Sequence, residues 1–305
     1  MSNILVTGAS GFLGQALVPK LLERGHRIYA LSRHPPAAGK DLIPMVGDVT
    51  QENLGLEEVP GAIHAVHHLA AIHRLGEDKD GSIWETNVEG IRNVIDFCNR
   101  HQIPHLLFCS TAYTQGRNPY ERSKVLCELM VREADIPRVT IFKPSVVMGT
   151  AEHFYPGHLY QLVSLVIKIH QRADILRRKI EGTLRLPVVE PVFRMKANPE
   201  GKLNLVPIDA VVDAMAKIEE PGTFWLTHPN PSTLAQLVEW VGEFIMVEMK
   251  IEPSFKPTLI EAAFEKMSAA FTPYLWGDDF PSNLKDCPPI TKEFIQETVK
   301  RSLQG

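Results

Sequence analysis

The chain has 305 residues, of which 44% are hydrophobic and 22% are charged. This is an ordinary globular composition, and it excludes collagen-like, disordered and disulfide-scaffold chains. The formal net charge of −4 argues against nucleic acid or an anionic membrane surface as the main partner, because both favour clustered Lys and Arg. A small molecule is therefore the expected partner.

Two further patterns indicate the cellular compartment in which we expect the protein. The four cysteines have none of the spacings typical of a zinc site, so we expect buried thiols in a reducing compartment and no metal. The start of the chain lacks the pattern of a signal peptide. The longest apolar stretch away from it, residues 162–169, is far shorter than the ~20 residues of a membrane span. We therefore expect a soluble, cytoplasmic protein without a membrane span.

The first half of the chain alternates short β-branched runs with longer segments of helical period. This alternation is typical of parallel strands joined by crossover helices. The predicted strands are residues 4–7, 27–32, 43–47, 65–69, 105–110 and 139–142. One predicted helix has its apolar face within residues 12–22, and a second within 88–98. Pro19 lies inside the first helix and should cost it a hydrogen bond, but the apolar pattern still favours a helix there.

After about residue 150 the sequence changes to an irregular mixture of prolines, aromatic residues and short helical segments. Residues 206–215 predict a helix with Asp209 near its start, and residues 223–226 predict a further strand. These two segments indicate a return to the first domain. We therefore predict an α/β fold with a doubly wound parallel sheet. The nucleotide-binding domain is residues 1–150, rejoined by about 202–230, and a smaller substrate-binding lobe lies mainly within 151–305.

A glycine-rich segment joins the first predicted strand to the first predicted helix: residues 7–14 are Thr-Gly-Ala-Ser-Gly-Phe-Leu-Gly. Glycines at these positions allow a tight turn, close approach of the backbone to a pyrophosphate, and close packing of the helix on the strand. A lone glycine triplet also fits an ordinary turn before a helix. The surrounding strand, helix and βαβ spacing favour nucleotide binding.

The residues that discriminate between NAD and NADP follow the second predicted strand. An NAD-binding unit places an acid there for the ribose 2′-hydroxyl, whereas this chain has Leu31, Ser32, Arg33 and His34. A guanidinium can donate two hydrogen bonds to a 2′-phosphate, so Arg33 favours NADPH; a solvated surface arginine is the alternative. Asp48, after the third strand, can accept a hydrogen bond from the adenine amino group or cap the next helix.

A second group of polar residues follows the fifth predicted strand. Thr111 stands near the end of that strand, and Tyr120 and Lys124 are four residues apart in a helical segment. This spacing puts both side chains on one helix face, where the ammonium favours the ionised phenol and makes tyrosine a usable general acid or base. A hydroxyl from Thr111 would then hold the substrate oxygen. A Tyr-x-x-x-Lys pair alone often occurs by chance in exposed helices, but the preceding glycine loop and strand end favour a catalytic site.

These motifs resemble the short-chain dehydrogenase/reductase superfamily, and specifically its extended branch, the NAD(P)-dependent epimerase/dehydratase-like proteins. The resemblance covers roughly residues 3–150. It rests on four segments in the same order as in that branch: residues 7–14, residues 68–71 (His-Leu-Ala-Ala), residues 87–90 (Asn-Val-Glu-Gly) and residues 120–124 (Tyr-Glu-Arg-Ser-Lys).

The resemblance implies a Rossmann-type fold, often a homodimer formed through two helices, and a role for each matching residue. Tyr120 would transfer the proton, and Lys124 would bind the nicotinamide ribose and tune Tyr120. Thr111 would orient the substrate carbonyl, and Asn87 would support the proton relay. The residues assigned to the cofactor are Gly8, Ser10, Gly11, Phe12, Leu13, Gly14, Arg33, Asp48, Val49, Leu69, Ala70, Ala71, Tyr120, Lys124 and Pro144.

Two departures from the branch concern sugar nucleotides. The sugar-nucleotide 4,6-dehydratases carry Asp-Glu directly after the catalytic threonine, whereas Ala112 and Tyr113 follow Thr111 here. The sugar-nucleotide epimerases usually show an Arg-Pro-x-Asn-x-Tyr-Gly segment, and the corresponding residues 143–149 lack its asparagine and tyrosine. Both departures argue against a sugar nucleotide as the substrate.

Other segments look more like the thioester-reductase and fatty acyl reductase subgroup, which reduces carrier-bound or CoA-bound acyl groups, or related carbonyls, with NADPH. These are Arg33 and residues 110–113, 120–124 and 204–209. The connection between Thr111 and Tyr120 is shorter than this subgroup usually has. In its motifs the chain is nearest to this subgroup, while the shorter connection leaves the substrate class open.

Two further candidates have structural alternatives. His64, His67, His68 and His73 cluster in the sequence, but neighbouring residues on a strand point to opposite faces, so one metal ion could not easily bind both His67 and His68. Structural or cofactor-loop histidines are favoured over a metal site. Lys143 can reach a substrate or the cofactor carboxamide, or it is a surface lysine.

The sequence therefore predicts an NADPH-dependent oxidoreductase that transfers hydride to an aldehyde, ketone or acyl thioester. The expected partner is a small molecule, which the subgroup resemblance extends to one linked to an acyl carrier or CoA, and not nucleic acid. One alternative is a sugar-nucleotide epimerase that holds NAD permanently. Another is an NADP-binding sensor or scaffold without turnover, against which the intact Thr111, Tyr120 and Lys124 argue.

Overall fold

In a computed structural model, residues 1–59, 61–150, 152–155, 157–184 and 192–304 are described. The strands are β1 (Asn3–Thr7), β2 (Arg27–Ser32), β3 (Leu42–Val46), β4 (Ala65–His68), β5 (His105–Cys109), β6 (Arg138–Pro144), β7 (Val146–Met148), β8 (Phe193–Lys196), β9 (Leu205–Pro207), β10 (Gly222–Leu226) and β11 (Met249–Glu252). The helices are α1 (Phe12–Glu23), α2 (Gly90–Arg100), α3 (Pro119–Glu133), α4 (Gly157–Leu184), α5 (Ile208–Lys217), α6 (Leu234–Ile245), α7 (Leu259–Met267) and α8 (Lys292–Gln304).

The chain divides into two compact units. The first unit consists of Met1–Val147, Val206–Pro229 and Phe280–Cys287. The second consists of Met148–Leu205, Asn230–Asp279 and Pro288–Gly305. Each unit is therefore built from three separate stretches of the chain.

A seven-stranded parallel sheet forms the centre of the first unit, in the order β10-β6-β5-β4-β1-β2-β3. Its inner strands are buried on both faces, as the five buried residues of β5 illustrate. Because both faces are covered, such strands consist of nearly continuous apolar runs. This is why all seven predicted strands are found, with ends that differ from the predictions by at most two residues. The doubly wound α/β fold is confirmed.

Helices cover both faces of this sheet. On one face, α1 and α5 bury a cluster that includes Leu17, Leu21, Val211 and Met215. On the other face, α2 and α3 bury a second cluster, to which they contribute Ile91, Val94, Phe97, Cys127 and Val131. The sheet therefore separates two hydrophobic cores and ends at an edge where the loops meet.

Three local details refine the predicted helices. Pro19 lies inside α1 but is exposed, so the carbonyl that loses its partner faces water and the helix continues. The second predicted helix starts earlier than its apolar face, as a wide π-turn over Trp84–Glu89 that leads into α2. The predicted helix over residues 206–215 is wrong at its start, because Pro207 has extended backbone and precedes the first helical residue, Ile208.

The second unit has its own core. Its apolar cluster includes Val166 from α4, Phe193 from β8, Leu234 from α6 and Phe264 from α7. Helix α4 has 28 residues, which is longer than the short helical segments expected after residue 150. Strands β8 and β11 pair in parallel. Within the described ranges, no helix is both long and apolar enough to cross a bilayer.

Gly14 carries a packing requirement of the first unit. A Cβ atom on Gly14 would lie 2.3 Å from the backbone oxygen of Gly8 and 2.7 Å from the Cα atom of Ala9. Those are backbone atoms that cannot rotate away, so we expect Gly14→Ala to lower the free energy of unfolding by about 1–3 kcal/mol, despite alanine's higher helix propensity. Urea titration monitored by circular dichroism measures this change.

Gly39→Ala is the matched control. Its added Cβ atom would meet only the Cβ atom of Leu42 at 3.6 Å, which is an ordinary contact. We expect this control to unfold at nearly the same urea concentration as the parent chain. Equal stability of Gly14→Ala and Gly39→Ala would contradict the packing argument.

Candidate active site

The glycine loop lies between β1 and α1, at the carboxyl edge of the sheet. Gly8 has a φ of +70°, a conformation that glycine adopts without strain, and a Cβ atom there would lie 2.8 Å from the amide nitrogen of Ala70. The Gly11 amide donates to the Gly8 carbonyl at 2.9 Å, which closes the turn. Gly11 is the N-cap of α1 and has no side chain to cover the amides of the first helical turn.

A second loop closes against the first. The Thr7 hydroxyl lies 2.8 Å from Nδ1 of His68, and the amide of Ala70 donates to the same hydroxyl at 3.4 Å. The amide of Leu69 donates to the Thr7 carbonyl at 3.2 Å. These bonds place residues 69–71 beside Gly8, so two of the segments assigned to the cofactor come together at the end of β1.

The end of β2 supplies the third part of this edge. Arg33 is exposed directly after β2, and Ser32 is buried with a hydroxyl that has no hydrogen-bond partner within the described part of the chain. Asp48 is half-buried after β3, and its Oδ1 accepts from both the amide and the hydroxyl of Thr50 at 3.0 Å. Asp48 thus stabilises the turn at Thr50 and does not cap the next helical turn, whose N-cap is Gln51; its contact with the adenine amino group stays a prediction. The neighbouring Val49 is buried.

These features fit a dinucleotide. Gly8, Gly11 and Gly14 let backbone segments pack more closely than a Cβ atom would allow. The helix start of α1 presents amides that favour an anion, and a basic side chain stands where the second strand ends. The orphaned hydroxyl of Ser32 is an unused polar atom beside Arg33. The pyrophosphate would lie at residues 8–14 and the adenosine half near residues 32–33.

Helix α3 carries the Tyr-Lys pair. Tyr120 is half-buried in its first turn, and Lys124 lies one turn later on the same face. Lys124 is buried, and its Nζ donates to the carbonyl oxygen of Cys109 at 2.8 Å and lies 4.8 Å from the centre of the Phe108 ring. Burial lowers the pKa of Lys124 from its ordinary value. The ammonium thus joins α3 to the end of β5.

Thr111 lies just beyond that strand end. It is buried, and its hydroxyl accepts from the amide of Tyr113 at 3.2 Å. The amide of Ala112 donates to the carbonyl of Pro144 at 2.8 Å, so the segment after β5 continues alongside the end of β6. Thr111 follows Cys109, the acceptor of Lys124, by two residues. The strand end and the helix that carry the three predicted catalytic residues are therefore in direct contact.

Asn87 connects the same helix to the loop after β4. Its side chain is buried, and its Oδ1 accepts from the Ile72 amide at 2.8 Å. Its Nδ2 donates to the Ile72 carbonyl at 3.0 Å and to the Ser123 hydroxyl at 2.9 Å. Ser123 in turn donates to the carbonyl of Tyr120 at 2.7 Å. These bonds hold the first turn of α3 in place, which supports a positioning role for Asn87.

The clustered histidines have separate environments. His67 stacks on Phe142 in one core, and His68 stacks on Phe108 in the other, so their predicted opposite orientation is confirmed. Burial lowers the pKa of both imidazoles to about 3. Among the residues described, no group of three or more His, Cys, Asp or Glu side chains could hold a metal ion.

Sequence reasoning did not find Glu128, the largely buried partner of Lys143. Lys143 is not the surface lysine considered above, because its side chain is buried and its Nζ donates to Glu128 at 2.7 Å. Glu128 drew no attention in the sequence. The available signal was its spacing, since Tyr120, Lys124 and Glu128 follow one another at intervals of four residues on α3.

The geometry agrees with a comparison of the sequence with protein families. The model of the NAD dependent epimerase/dehydratase family matches residues 4–181. The chain belongs to this family. Membership confirms the family predicted from the four motifs, and with it the predicted enzyme class, the NAD(P)-dependent oxidoreductases of the epimerase/dehydratase type.

Curated proteins are similar to part of the chain. A 2-alkyl-3-oxoalkanoate reductase of Stenotrophomonas maltophilia is 39% identical over an alignment of 205 positions, and the match covers 59% of this chain and 58% of that protein. The 3 beta-hydroxysteroid dehydrogenase type 7 of Mus musculus is 27% identical over an alignment of 196 positions, and that match covers 52% of this chain and 53% of that protein. The match thus spans somewhat more than half the length of each relative.

Among solved structures, the terminal R domain from the myxalamid PKS-NRPS biosynthetic pathway is similar in fold. The superposition has a TM-score of 0.71 at 21% sequence identity and covers 100% of this chain and 91% of that domain. At 21% identity this similarity shows that the two proteins share a fold, and it does not show that they share a substrate.

The buried His67 makes the stability of the protein pH-dependent. In the folded chain the pKa of His67 is about 3, chiefly because burial disfavours the charged ring. In the unfolded chain its pKa is about 6.5. Between these values the unfolded chain binds more protons, so stability falls as the pH falls. We expect His67→Leu to show a shallower loss of unfolding free energy between about pH 7 and pH 4.5.

Urea titrations at both pH values measure this difference, with His34→Leu as the control. His34 is exposed, so its replacement should leave the pH dependence unchanged. If His67→Leu and the parent chain lost equal stability on acidification, the neutral state of the buried ring would not explain the acid sensitivity.

Proposed function

We propose that this protein is an NADPH-dependent reductase of carbonyl compounds, with Thr111, Tyr120 and Lys124 at its catalytic site. The observation that carries the proposal is the contact between Lys124 and the carbonyl of Cys109, which joins the helix bearing Tyr120 to the strand end before Thr111. Through this contact, the segment that bears Thr111 and the helix that bears Tyr120 and Lys124 meet at one edge of a sheet whose other loops fit a dinucleotide.

The cofactor is proposed to lie along the carboxyl edge of the sheet. Residues 8–14 would hold the pyrophosphate, Arg33 would pair with the 2′-phosphate, and residues 69–71 would lie beside the adenine ribose. Lys124 would bind the nicotinamide ribose, and Pro144 would border the nicotinamide. When bound, the nicotinamide supplies the hydride that reduces the carbonyl carbon.

The protein's own groups would handle the oxygen of the substrate. The hydroxyl of Thr111 would donate a hydrogen bond to the carbonyl oxygen and fix its position. Tyr120 would then give its phenolic proton to that oxygen as negative charge develops there, which yields the alcohol. Lys124 has three ammonium donors, of which the carbonyl of Cys109 takes one. The lowered pKa of Lys124 makes the ammonium a better proton source for restoring the phenol.

The proposed substrate is an aldehyde, a ketone or an acyl thioester. The two curated relatives are named as a reductase and a dehydrogenase, which supports redox chemistry at a carbonyl or alcohol carbon. The similarity to a terminal R domain and the segments shared with acyl reductases extend the proposal to substrates linked to an acyl carrier or CoA. A sugar nucleotide is disfavoured by the absence of asparagine and tyrosine from residues 143–149.

Removal of the phenolic hydroxyl tests the catalytic assignment. We expect Tyr120→Phe to lower kcat by roughly 10²–10⁴-fold, the usual contribution of a general acid, while the Kd for NADPH stays nearly constant. Oxidation of NADPH at 340 nm, with a panel of aldehydes, ketones and acyl thioesters, provides the measurement. The control is Tyr29→Phe in the buried core of the same unit. Undiminished turnover by Tyr120→Phe would rule out the assignment.

The choice of cofactor is tested separately at Arg33. We expect Arg33→Ala to weaken NADPH binding by about tenfold or more, which is ~1.4 kcal/mol, and to change NADH binding little. Nicotinamide fluorescence titrations measure both values, and Arg24→Ala, at the opposite end of α1, is the control. Equal losses for both nucleotides would exclude a phosphate contact. If the purified protein releases tightly held NAD on denaturation, the epimerase alternative is favoured instead.

A further inference from the structure

A buried ion pair lies behind the proposed catalytic residues. The face of α3 that carries Tyr120 and Lys124 continues one turn further to Glu128. The Oε1 atom of Glu128 accepts from Nζ of Lys143 on β6 at 2.7 Å. Only 12% of the Glu128 side chain and 6% of the Lys143 side chain are exposed. The two charges are therefore largely removed from water.

The donors of Lys143 are directed at protein groups. Besides Glu128, its Nζ lies 3.4 Å from the hydroxyl of Thr114 and 4.8 Å from the centre of the Trp225 ring on β10. A cation over an aromatic face at this distance is an attractive contact. These three neighbours occupy the ammonium, so Lys143 fits a structural contact better than the cofactor or substrate contact considered from the sequence.

The pair also fixes the segment that bears Thr111. The Ser110 hydroxyl donates to Oε1 of Glu128 at 2.5 Å, and the Thr114 hydroxyl is the second acceptor of Lys143. Thr111 thus lies between two residues whose hydroxyl groups bind the same ion pair. The Ser110 amide also donates to the carbonyl of Phe142 at 2.8 Å. Side-chain and backbone bonds together leave this segment little freedom.

Stability alone does not explain such an arrangement. A buried ion pair often contributes no more to stability than two well-packed apolar side chains of similar volume, because desolvation offsets the attraction. An ion pair also fixes the relative positions of its partners, because its hydrogen bonds form only within a narrow range of distances and angles. Here the directed bonds run between the helix of Tyr120 and the strand end of Thr111.

We propose that Glu128 and Lys143 are positioning residues that hold the Thr111 hydroxyl in register with Tyr120. The proposal rests on the proposed function, since it assigns these residues to the same site. Glu128 on α3 holds the segment of Thr111 through the Ser110 hydroxyl. Lys143 on β6 holds the same segment through the Thr114 hydroxyl. Both residues would therefore act through Ser110 and Thr114.

A double variant, Glu128→Leu with Lys143→Met, tests the proposal. Because both residues are replaced together, neither is left as a buried charge without the other. We expect it to fold and to bind NADPH with a Kd within about twofold of the parent value. We expect kcat to fall by roughly 10- to 100-fold, because small displacements of a positioning group have effects of this size. Hydrogen–deuterium exchange of the full chain should show faster uptake within residues 110–114.

The matched control removes a half-exposed pair of the same chemistry in the same unit. Lys20 on α1 and Asp213 on α5 lie 3.0 Å apart, with 34% and 42% of their side chains exposed. We expect Lys20→Met with Asp213→Leu to leave kcat and the uptake at residues 110–114 unchanged. If the Glu128 and Lys143 double variant does not fold, Ser110→Ala with Thr114→Val removes the two hydroxyl bonds and should lower kcat in the same direction.

The possible outcomes distinguish a failure of the proposed function from a failure of the positioning role of Glu128 and Lys143. A parent chain without any Tyr120-dependent turnover would contradict the proposed function, and the exchange data would still decide whether the ion pair restrains residues 110–114. A parent chain that turns over while the folded double variant keeps its kcat would overturn the positioning role alone. Unchanged uptake at residues 110–114 would overturn it as well.

Discussion

A buried ammonium needs a hydrogen-bond acceptor, because the loss of its hydration costs several kcal/mol that only directed contacts offset. For Lys124 the acceptor is the carbonyl of Cys109. This bond requires α3 to approach the end of β5 closely, and the other contacts of the site follow from that approach. Asn87 can then reach Ser123, and Glu128, on the same helix face, can reach Ser110. The geometry of the candidate site thus depends on one polar contact made where water is excluded.

The carboxyl edge of the sheet has two different electrostatic regions. At the glycine loop, the backbone amides of the first turn of α1 favour an anion, and no side chain of Gly11 competes for them. At α3, burial makes the ammonium of Lys124 more acidic than in water. An end whose backbone amides favour an anion and an end with a buried ammonium therefore lie at one edge of the sheet, and the neutral His68 contacts Thr7 and Phe108 between them.

Much of this could be predicted from the sequence, because the decisive signals are local. Parallel strands covered on both faces are short apolar runs, and residues 7–14 carry their turn chemistry in glycines spaced three residues apart. The missed features depend on distant partners. Nothing near Glu128 in the sequence indicates Lys143, since the contact exists only after α3 packs beside β6. The first residues of the predicted helix at 206–215 were misassigned because the pairing of β9 outweighs a helical apolar pattern there.

The order of the strands has a consequence for how the chain can be divided. The last strand to join the large sheet, β10, pairs with β6 along Thr223↔Ile141, although about eighty residues of sequence separate them. A fragment that ended after β6 would expose the unpaired backbone of that strand as a flat, apolar edge, which is a template for aggregation. During synthesis the sheet would keep this open edge until Gly222–Leu226 has left the ribosome. A fragment that ends before β10 is therefore a poor reagent for binding studies, and a suitable one must include Gly222–Leu226.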